Sequence, residues 1–349
     1  MKKFRIFKET EGIKVIGIIV IIAILSYVLV HFDVVAVMKY IEKYPKKTTG
    51  NVKTTSDVKF TDYVIPNGTY YRDTMQFTKG QYFPIAKAGD KYDGSYYSYI
   101  YSSELQGWKV SLNEKCSNYM EEYGEILSEI ARVPIKDVSG LFLDCEYMVK
   151  APSIPISVIN MDSTFKNCKS LVIAPEIPPN VKSMRYSFEN CKALTEMPDI
   201  PYGVQDMDWT FSKCRYLMIT KDIPDSVTSM EKTFYACVNL NQIGKLSKNV
   251  IDLTSCFEQC FSLTEMPEIP DSVTIMYKTF YYCEMLKTTK PIPKNVVNMK
   301  EVFNNCRSIE GTIVINANPN QYTQWIMGLR NIKLEGESPK LEKLAAYLN

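Results

Sequence analysis

Residues 161–183 read MDSTFKNCKSLVIAPEIPPNVKS, and residues 184–206 read MRYSFENCKALTEMPDIPYGVQD. The two segments share a length of 23 residues and a skeleton, Phe-x-x-Cys-x-x-Leu followed by Pro-x-Ile-Pro-x-x-Val. Steps of 23 from Phe165 land on Phe188, Phe211, Phe234, Phe257, Phe280 and Phe303, and one step back lands on Phe142. Cysteine keeps the same beat three residues later, at Cys145, Cys168, Cys191, Cys214, Cys237, Cys260, Cys283 and Cys306. Met161, Met184, Met207, Met230, Leu253, Met276 and Met299 follow it too, as does the valine series from Val158 to Val296. A fixed period of this length signals a solenoid, in which one unit cannot bury its apolar side but stacked units bury a continuous core.

The skeleton also predicts local geometry. Phe and Cys at i and i+3, with Leu at i+6, share one face of a short helical turn, so TFKNCKSL-like segments are expected to be helical. The LTEMPEIP-like segments place Leu, Met and Ile at loosely alternating spacing and are expected to run extended. Their prolines fix φ and bar the preceding residue from the helical region, so the chain turns there. Coils joined by ladder hydrogen bonds stack about 4.8 Å apart, and eight of them extend on the order of 40 Å.

The combination F-x-N-C-x-x-L, a Pro/Ile/Pro segment and S-V-T-x-M resembles the leucine-rich repeats of the BspA-like type. Those repeats occur in bacterial surface proteins, many from Gram-positive gut anaerobes. The resemblance covers 138–318 and extends into GTIVINANPNQYTQWIMGLRNIKLEGES, which is similar to how such arrays close. Lys221, Gly244 and Ser247 depart from it, standing where prolines are usual. The resemblance implies an α+β solenoid, a leucine-rich-repeat array of eight 23-residue repeats with N- and C-terminal caps. About function it implies binding and leaves the ligand open.

The expected organisation places a basic start at 1–12 and a transmembrane anchor with its extension at 13–45. A spacer follows at 46–57, then an N-terminal cap of β-hairpin plus helix at 58–137, the array at 138–310 and a C-terminal cap at 311–349. VIGIIVIIAILSYVLVHF runs uncharged over 15–32, close to the roughly 20 residues that cross a bilayer. It lacks the short apolar core and A-x-A-like site of a cleaved signal. An uncleaved single-pass anchor with the C-terminal region outside is therefore expected, although Lys39, Lys43, Lys46 and Lys47 weaken the charge asymmetry. The alternative is a pilin-like structural subunit assembled through this helix, since Gly12 precedes it, but Gly17 stands where that family carries glutamate. In the cap, the tyrosine-rich GDKYDGSYYSYIYSSELQGWKVSLNEK alternates like two strands around a turn, and YGEILSEIARVPI has helical spacing. At the other end PNQYTQWIMGL and SPKLEKLAAYL read as short helices flanking the strand NIKLEG.

Ten cysteines in an exported chain would ordinarily indicate disulfides. Here stacked rungs carry their Cβ vectors parallel, whereas a disulfide needs them facing, so the ladder reads as free thiols packed as small apolar groups. Cys116 and Cys256 fall outside the beat and are the candidate reactive thiols.

The residue types that perform catalysis are missing. The single histidine, His31, lies in the apolar segment, so no Ser-His-Asp or Cys-His pair forms outside the membrane. No cofactor or metal is expected, since the cysteines lack the close spacing of zinc ligands and no Gly-rich phosphate loop occurs. The formal charge of +2 argues against nucleic acid.

Two columns that vary between rungs are the candidate binding residues. One runs Glu176, Asp199, Asp222, Lys245, Glu268 and Pro291 and is mostly acidic, with Glu196 and Glu265 beside it. Stacked like charges about 5 Å apart call for a cation or basic partner, unless they form a solvated face. The other is aromatic, Tyr186, Trp209, Tyr235, Tyr277, Tyr281 and Tyr282; such side chains mark binding surfaces or pack on neighbouring rungs. The expected function is a membrane-anchored surface protein binding a macromolecular ligand, either a host or bacterial surface protein or a cell-wall polymer.

Overall fold

The computed structural model describes residues 69–72, 75–77, 86–113, 116, 120, 123–130, 133–327 and 332–348. The basic start, the expected anchor at 13–45 and the spacer lie outside the described residues. Among those described, no helix is long and apolar enough to cross a membrane.

The chain first builds a sheet from β1 (Thr69–Arg72), β2 (Met75–Phe77), β3 (Lys91–Asp93), β4 (Tyr97–Ser102), β5 (Gly107–Leu112), β6 (Glu129–Ile130) and β7 (Val133–Asp137). Their order is β2-β1-β3-β4-β5-β7-β6. The tyrosine-rich stretch supplies β4 and β5, paired antiparallel from Tyr97↔Leu112 to Ser102↔Gly107. The helix expected over YGEILSEIARVPI is not there: its described residues run extended into β6 and β7, which pair antiparallel. Residue 134 is proline, which removes an amide that a helix would use, and β7 instead joins β5 in parallel.

From β7 the repeats begin. Asp137 bridges Asn160 in parallel, and the bridge recurs on each rung through Ser183, Asp206, Ser229, Asp252, Ile275, Asn298 and Gln321. The expected helical turns are absent, and their replacement explains the repeat. Phe165 N–H donates to Ser187 O at 2.8 Å, Phe188 N–H to Thr210 O at 2.9 Å and Phe211 N–H to Thr233 O at 2.9 Å. Every second amide of this segment makes such a link: Met161 to Ser183, Ser163 to Arg185 and Asn167 to Glu189. The amides between them close tight turns, Thr164 onto Met161, Lys166 onto Ser163 and Cys168 onto Phe165. An α-helix would instead have satisfied the amides beyond its first turn internally.

This zigzag needs two left-handed residues per rung, two before and two after the phenylalanine. Ser163 (φ 55°) and Asn167 (φ 63°) are one pair, and Trp209 (φ 58°) and Lys213 (φ 63°) another. Asparagine tolerates that region best among residues with a Cβ, which accounts for the Asn in F-x-N-C. Gly140 (φ 66°) fills the equivalent position on the first rung.

Inside, the phenylalanines form a single column. Ring centroids from Phe142 to Phe303 step by 5.3 to 5.7 Å, with planes within 16° of parallel. Tyr97 and Tyr123 cover the Phe142 end, and Trp325 covers Phe303 edge-on. The rungs without proline show local fit. A Cβ on Gly244 would sit 2.6 Å from the Lys221 carbonyl, so only glycine lets the two rungs approach there. Ser247 Oγ donates to Val227 O at 2.6 Å.

After the column, β8 (Phe303–Asn304) pairs in parallel with β10 (Ile326–Met327), and β9 (Gly311–Val314) with β11 (Ile332–Glu335). The segment PNQYTQWIMGL, expected as a helix, instead carries β10 and the buried Trp325, whose ring covers Phe303. SPKLEKLAAYL forms the helix α1 (Leu341–Ala345), and Trp325 Nε1 donates to Leu344 O at 3.1 Å.

Truncating a fully buried ring in mid-column removes its burial and leaves a cavity between two rings that cannot close. Phe211→Ala is expected to cost about 3–5 kcal/mol. Leu143→Ala, at a side chain 40% exposed, is expected to stay within about 0.5 kcal/mol of the parent. Denaturant melts of the two variants check this, and equal melts contradict the stacked core.

Candidate functional site

The same turns that bury phenylalanine place on one face the residues three and two before it and one and two after it. Most of them are half-buried and a few, such as Asp208 and Ser212, are covered by their neighbours. This face brings most of the aromatic column together. Tyr186 and Trp209 stack at 5.7 Å with planes 29° apart, and Trp209 meets Tyr235 at 6.2 Å. Lys166 Nζ lies 4.8 Å from the Tyr186 ring, and Lys232 Nζ lies 4.4 Å from the Trp209 ring. The rings are half-buried, their faces taken by each other and by ammonium groups, with their edges left toward solvent. Tyr277, Tyr281 and Tyr282 form a second cluster further along. Tyr281 and Tyr282 meet edge to face at 4.7 Å, and Lys278 Nζ sits 5.4 Å from Tyr277 and 4.9 Å from Tyr281.

Charges on this face pair with one another. Buried Glu189 takes Lys166 at 2.9 Å and Lys213 at 3.1 Å. Arg185 reaches Asp206 at 3.1 Å and Asp208 at 3.5 Å, and Lys278 reaches Glu301 at 3.5 Å. Asp162 and Asp208, which the sequence reading passed over, fasten rungs together. Asp162 Oδ1 accepts from Ser183 Oγ and from Arg185 N–H, and Asp208 Oδ1 accepts from Ser229 Oγ and from Glu231 N–H. Burial raises both carboxyls above their ordinary value, against the serine hydroxyls, which pull them down. The signal for them was available: both stand one residue after the Met that marks the beat.

The acidic column does not gather into a site. All six carboxylates are exposed. Lys221 of the next rung pairs with Asp199 at 2.7 Å, Lys290 pairs with Glu268 at 3.3 Å, and the Lys245 amide donates to Asp222 at 2.9 Å. The chain's own groups thus offset the stacked charge, and Glu176, Glu196 and Glu265 stand in solvent. Among the described residues, no group of three His, Cys, Asp or Glu is arranged to hold a metal ion.

The BspA type Leucine rich repeat region matches six copies over residues 141–243 and 207–326, together more than half of the chain. The chain belongs to the BspA-type leucine-rich-repeat family. A leucine-rich repeat protein from Bacteroides ovatus has the same fold, with TM-score 0.50 and 16% identity over 70% of this chain and 78% of that one. The T. pallidum leucine-rich repeat protein is 23% identical over 56% of this chain and 89% of its own, with TM-score 0.48. A leucine rich cell surface protein from Faecalibacterium prausnitzii is 16% identical over 74% of this chain and 97% of its own, with TM-score 0.37. Among curated proteins none matches the chain.

The repeat's cysteine is more than a small apolar filler. Cys168 Sγ donates to Phe142 O at 3.1 Å, Cys214 Sγ to Phe188 O at 3.2 Å and Cys306 Sγ to Phe280 O at 2.9 Å, each to the preceding rung. A serine hydroxyl at Cys214 would therefore face an acceptor. Cys256 is fully buried in the column otherwise filled by Thr210, Thr233 and Thr279, which corrects its reading as a reactive thiol. All ten cysteines are free. Burial pushes the Cys191, Cys214, Cys256 and Cys283 thiols well above their ordinary value, so thiolate is scarce at neutral pH. Native labelling with a thiol-specific alkylating agent is expected to modify half-exposed Cys116 alone, and denaturant to release the nine buried thiols. Mass spectrometry counts them, and several fast-reacting native thiols contradict the packing.

Proposed function

We propose that this is a membrane-anchored surface protein whose array binds another macromolecule, with the Tyr186–Trp209–Tyr235 strip at the centre of the contact. On this reading the array counts eight repeats from Phe142 to Phe303, the flanking sheet segments serve as its caps, and the 13–45 segment is the single-pass anchor. The family supports a surface location and a binding rather than catalytic role, since no enzyme family is indicated.

The observation that carries the binding reading is the strip itself. Large aromatic side chains half out of the core, ringed by paired charges, have the make-up of protein-binding hot spots, rich in Trp, Tyr and Arg. Ring faces already covered by neighbouring rings and ammonium groups favour a protein partner, met by ring edges, over stacking on a polymer's sugar rings. Pairing of the lysines with glutamates and aspartates removes the excess positive charge that a nucleic acid requires.

Cells carrying the full chain, incubated with host or neighbour-cell surface proteins, test this reading. Trp209→Ala is expected to weaken attachment by more than tenfold, a loss of about 2 kcal/mol. Tyr202→Ala, at a tyrosine 77% exposed and outside the strip, is expected to leave it unchanged. Protease added after wall removal is expected to release the array. Equal attachment by the Trp209 variant sinks the strip, and full protection from protease sinks the surface location.

A further inference from the structure

Beyond the strip, the same face ends in a cavity of about 390 Å3 lined by Lys300, Asn320, Gln321, Tyr322, Thr323 and Tyr347. Its size falls at the lower end of small-ligand sites, about 300–1,000 Å3. Its walls come from the last rungs and from the turn after α1, so the fold's closing segment builds it.

Three features of the lining point to one class of ligand. First, the Asn320, Gln321 and Thr323 side chains are exposed and make no hydrogen bond to another described residue. Two amides and a hydroxyl both donate and accept, which matches a ligand dense in hydroxyl groups. Second, Tyr322 and Tyr347 meet edge to face at 6.2 Å. Lys340 lies over the Tyr322 ring, whereas among the described residues no ammonium group lies over Tyr347, and a tyrosine ring face packs well against the C–H face of a pyranose. Third, the charge is lopsided. Lys300, 3.6 Å from Glu301, shares that carboxylate with Lys278, itself also close enough to Glu258 to feel its charge. Lys340 Nζ lies 5.6 Å from the Tyr322 ring, donates to Pro319 O, and has no carboxylate partner among the described residues. Lys278, Lys300 and Lys340 thus stand against two carboxylates, Glu301 and Glu258, which leaves room for an anionic substituent.

We infer that this cavity binds an acidic sugar residue, with its hydroxyls on Asn320, Gln321 and Thr323, its ring against tyrosine and its carboxylate toward Lys300. The site is separate from the strip and stands whether or not the strip binds a protein.

Saturation-transfer NMR on the full chain in detergent micelles, with glucuronate, glucose and inorganic phosphate as probes, tests it. Glucuronate is expected to show transfer and to bind roughly tenfold more tightly than glucose, the worth of one charge-assisted hydrogen bond. Lys300→Gln is expected to abolish that preference while leaving weak transfer to both sugars. Asn320→Ala, which removes an exposed amide with no packing role, is expected to weaken both. Phosphate competing as well as glucuronate, with no transfer to glucose, makes the cavity a plain anion site and overturns the inference. No transfer to either sugar, or an unchanged preference in Lys300→Gln, overturns it as well.

Discussion

The amide of each phenylalanine donates to a carbonyl 22 residues ahead, and the rest of the array follows from that link. Had the segment been helical, these amides would have been satisfied within it, and neighbouring rungs would have packed as helices about 8–10 Å apart. Ring columns stepping by 5.3 to 5.7 Å would then be impossible. The link instead draws rungs to the spacing of a sheet while the chain keeps turning. It exacts two left-handed residues per rung, each costing on the order of 1 kcal/mol when it carries a Cβ. Amides, carbonyls, thiols and threonine hydroxyls all find partners on an adjoining rung in return. A single inserted residue would misalign every one of these contacts, which is the physical reason that the 23-residue beat runs uninterrupted.

Much of this was legible in the sequence, and the failures are instructive. The beat located the buried column, Phe142 through Phe303, and its thiols, because burial on one side of a stacked unit leaves a periodic trace. The helical reading of TFKNCKSL failed because Phe, Cys and Leu at three-residue spacing fit a series of tight turns as well as a helix. The discriminating residue was the asparagine two places after phenylalanine, as at Asn167, Asn190 and Asn305, all left-handed. The YGEILSEIARVPI helix failed for a related reason: Ile126, Leu127 and Ile130 face the core from an extended chain, and Pro134 marks the strand.

The candidate binding residues were legible by type and misleading by arrangement. Column arithmetic placed Tyr186 and Trp209 on adjoining rungs, and the structure stacks them. What the arithmetic lacked was the cations that flank the rings: Lys232 stands one rung beyond Trp209 in the same column, and Lys166 comes from the column of Tyr235. The acidic column failed as a cation site for the same reason, since Lys221 and Lys290 reach across from the following rung. A solenoid sets each side chain beside those 23 residues away, so a column read alone overstates its charge. The strip gains its character from the backbone as well, for Tyr186 and Trp209 occupy left-handed positions that the turns impose on every rung.

The claim on which everything rests is the identity of the phenylalanine amide's acceptor. Through-hydrogen-bond scalar coupling, measured by NMR on the deuterated chain, reads it directly. Coupling from the Phe188 nitrogen to the Thr210 carbonyl carbon, and from Phe211 to Thr233, is the expected result. Coupling from Phe188 to the carbonyl of Met184 would show a helix in place of the turns and contradict the account.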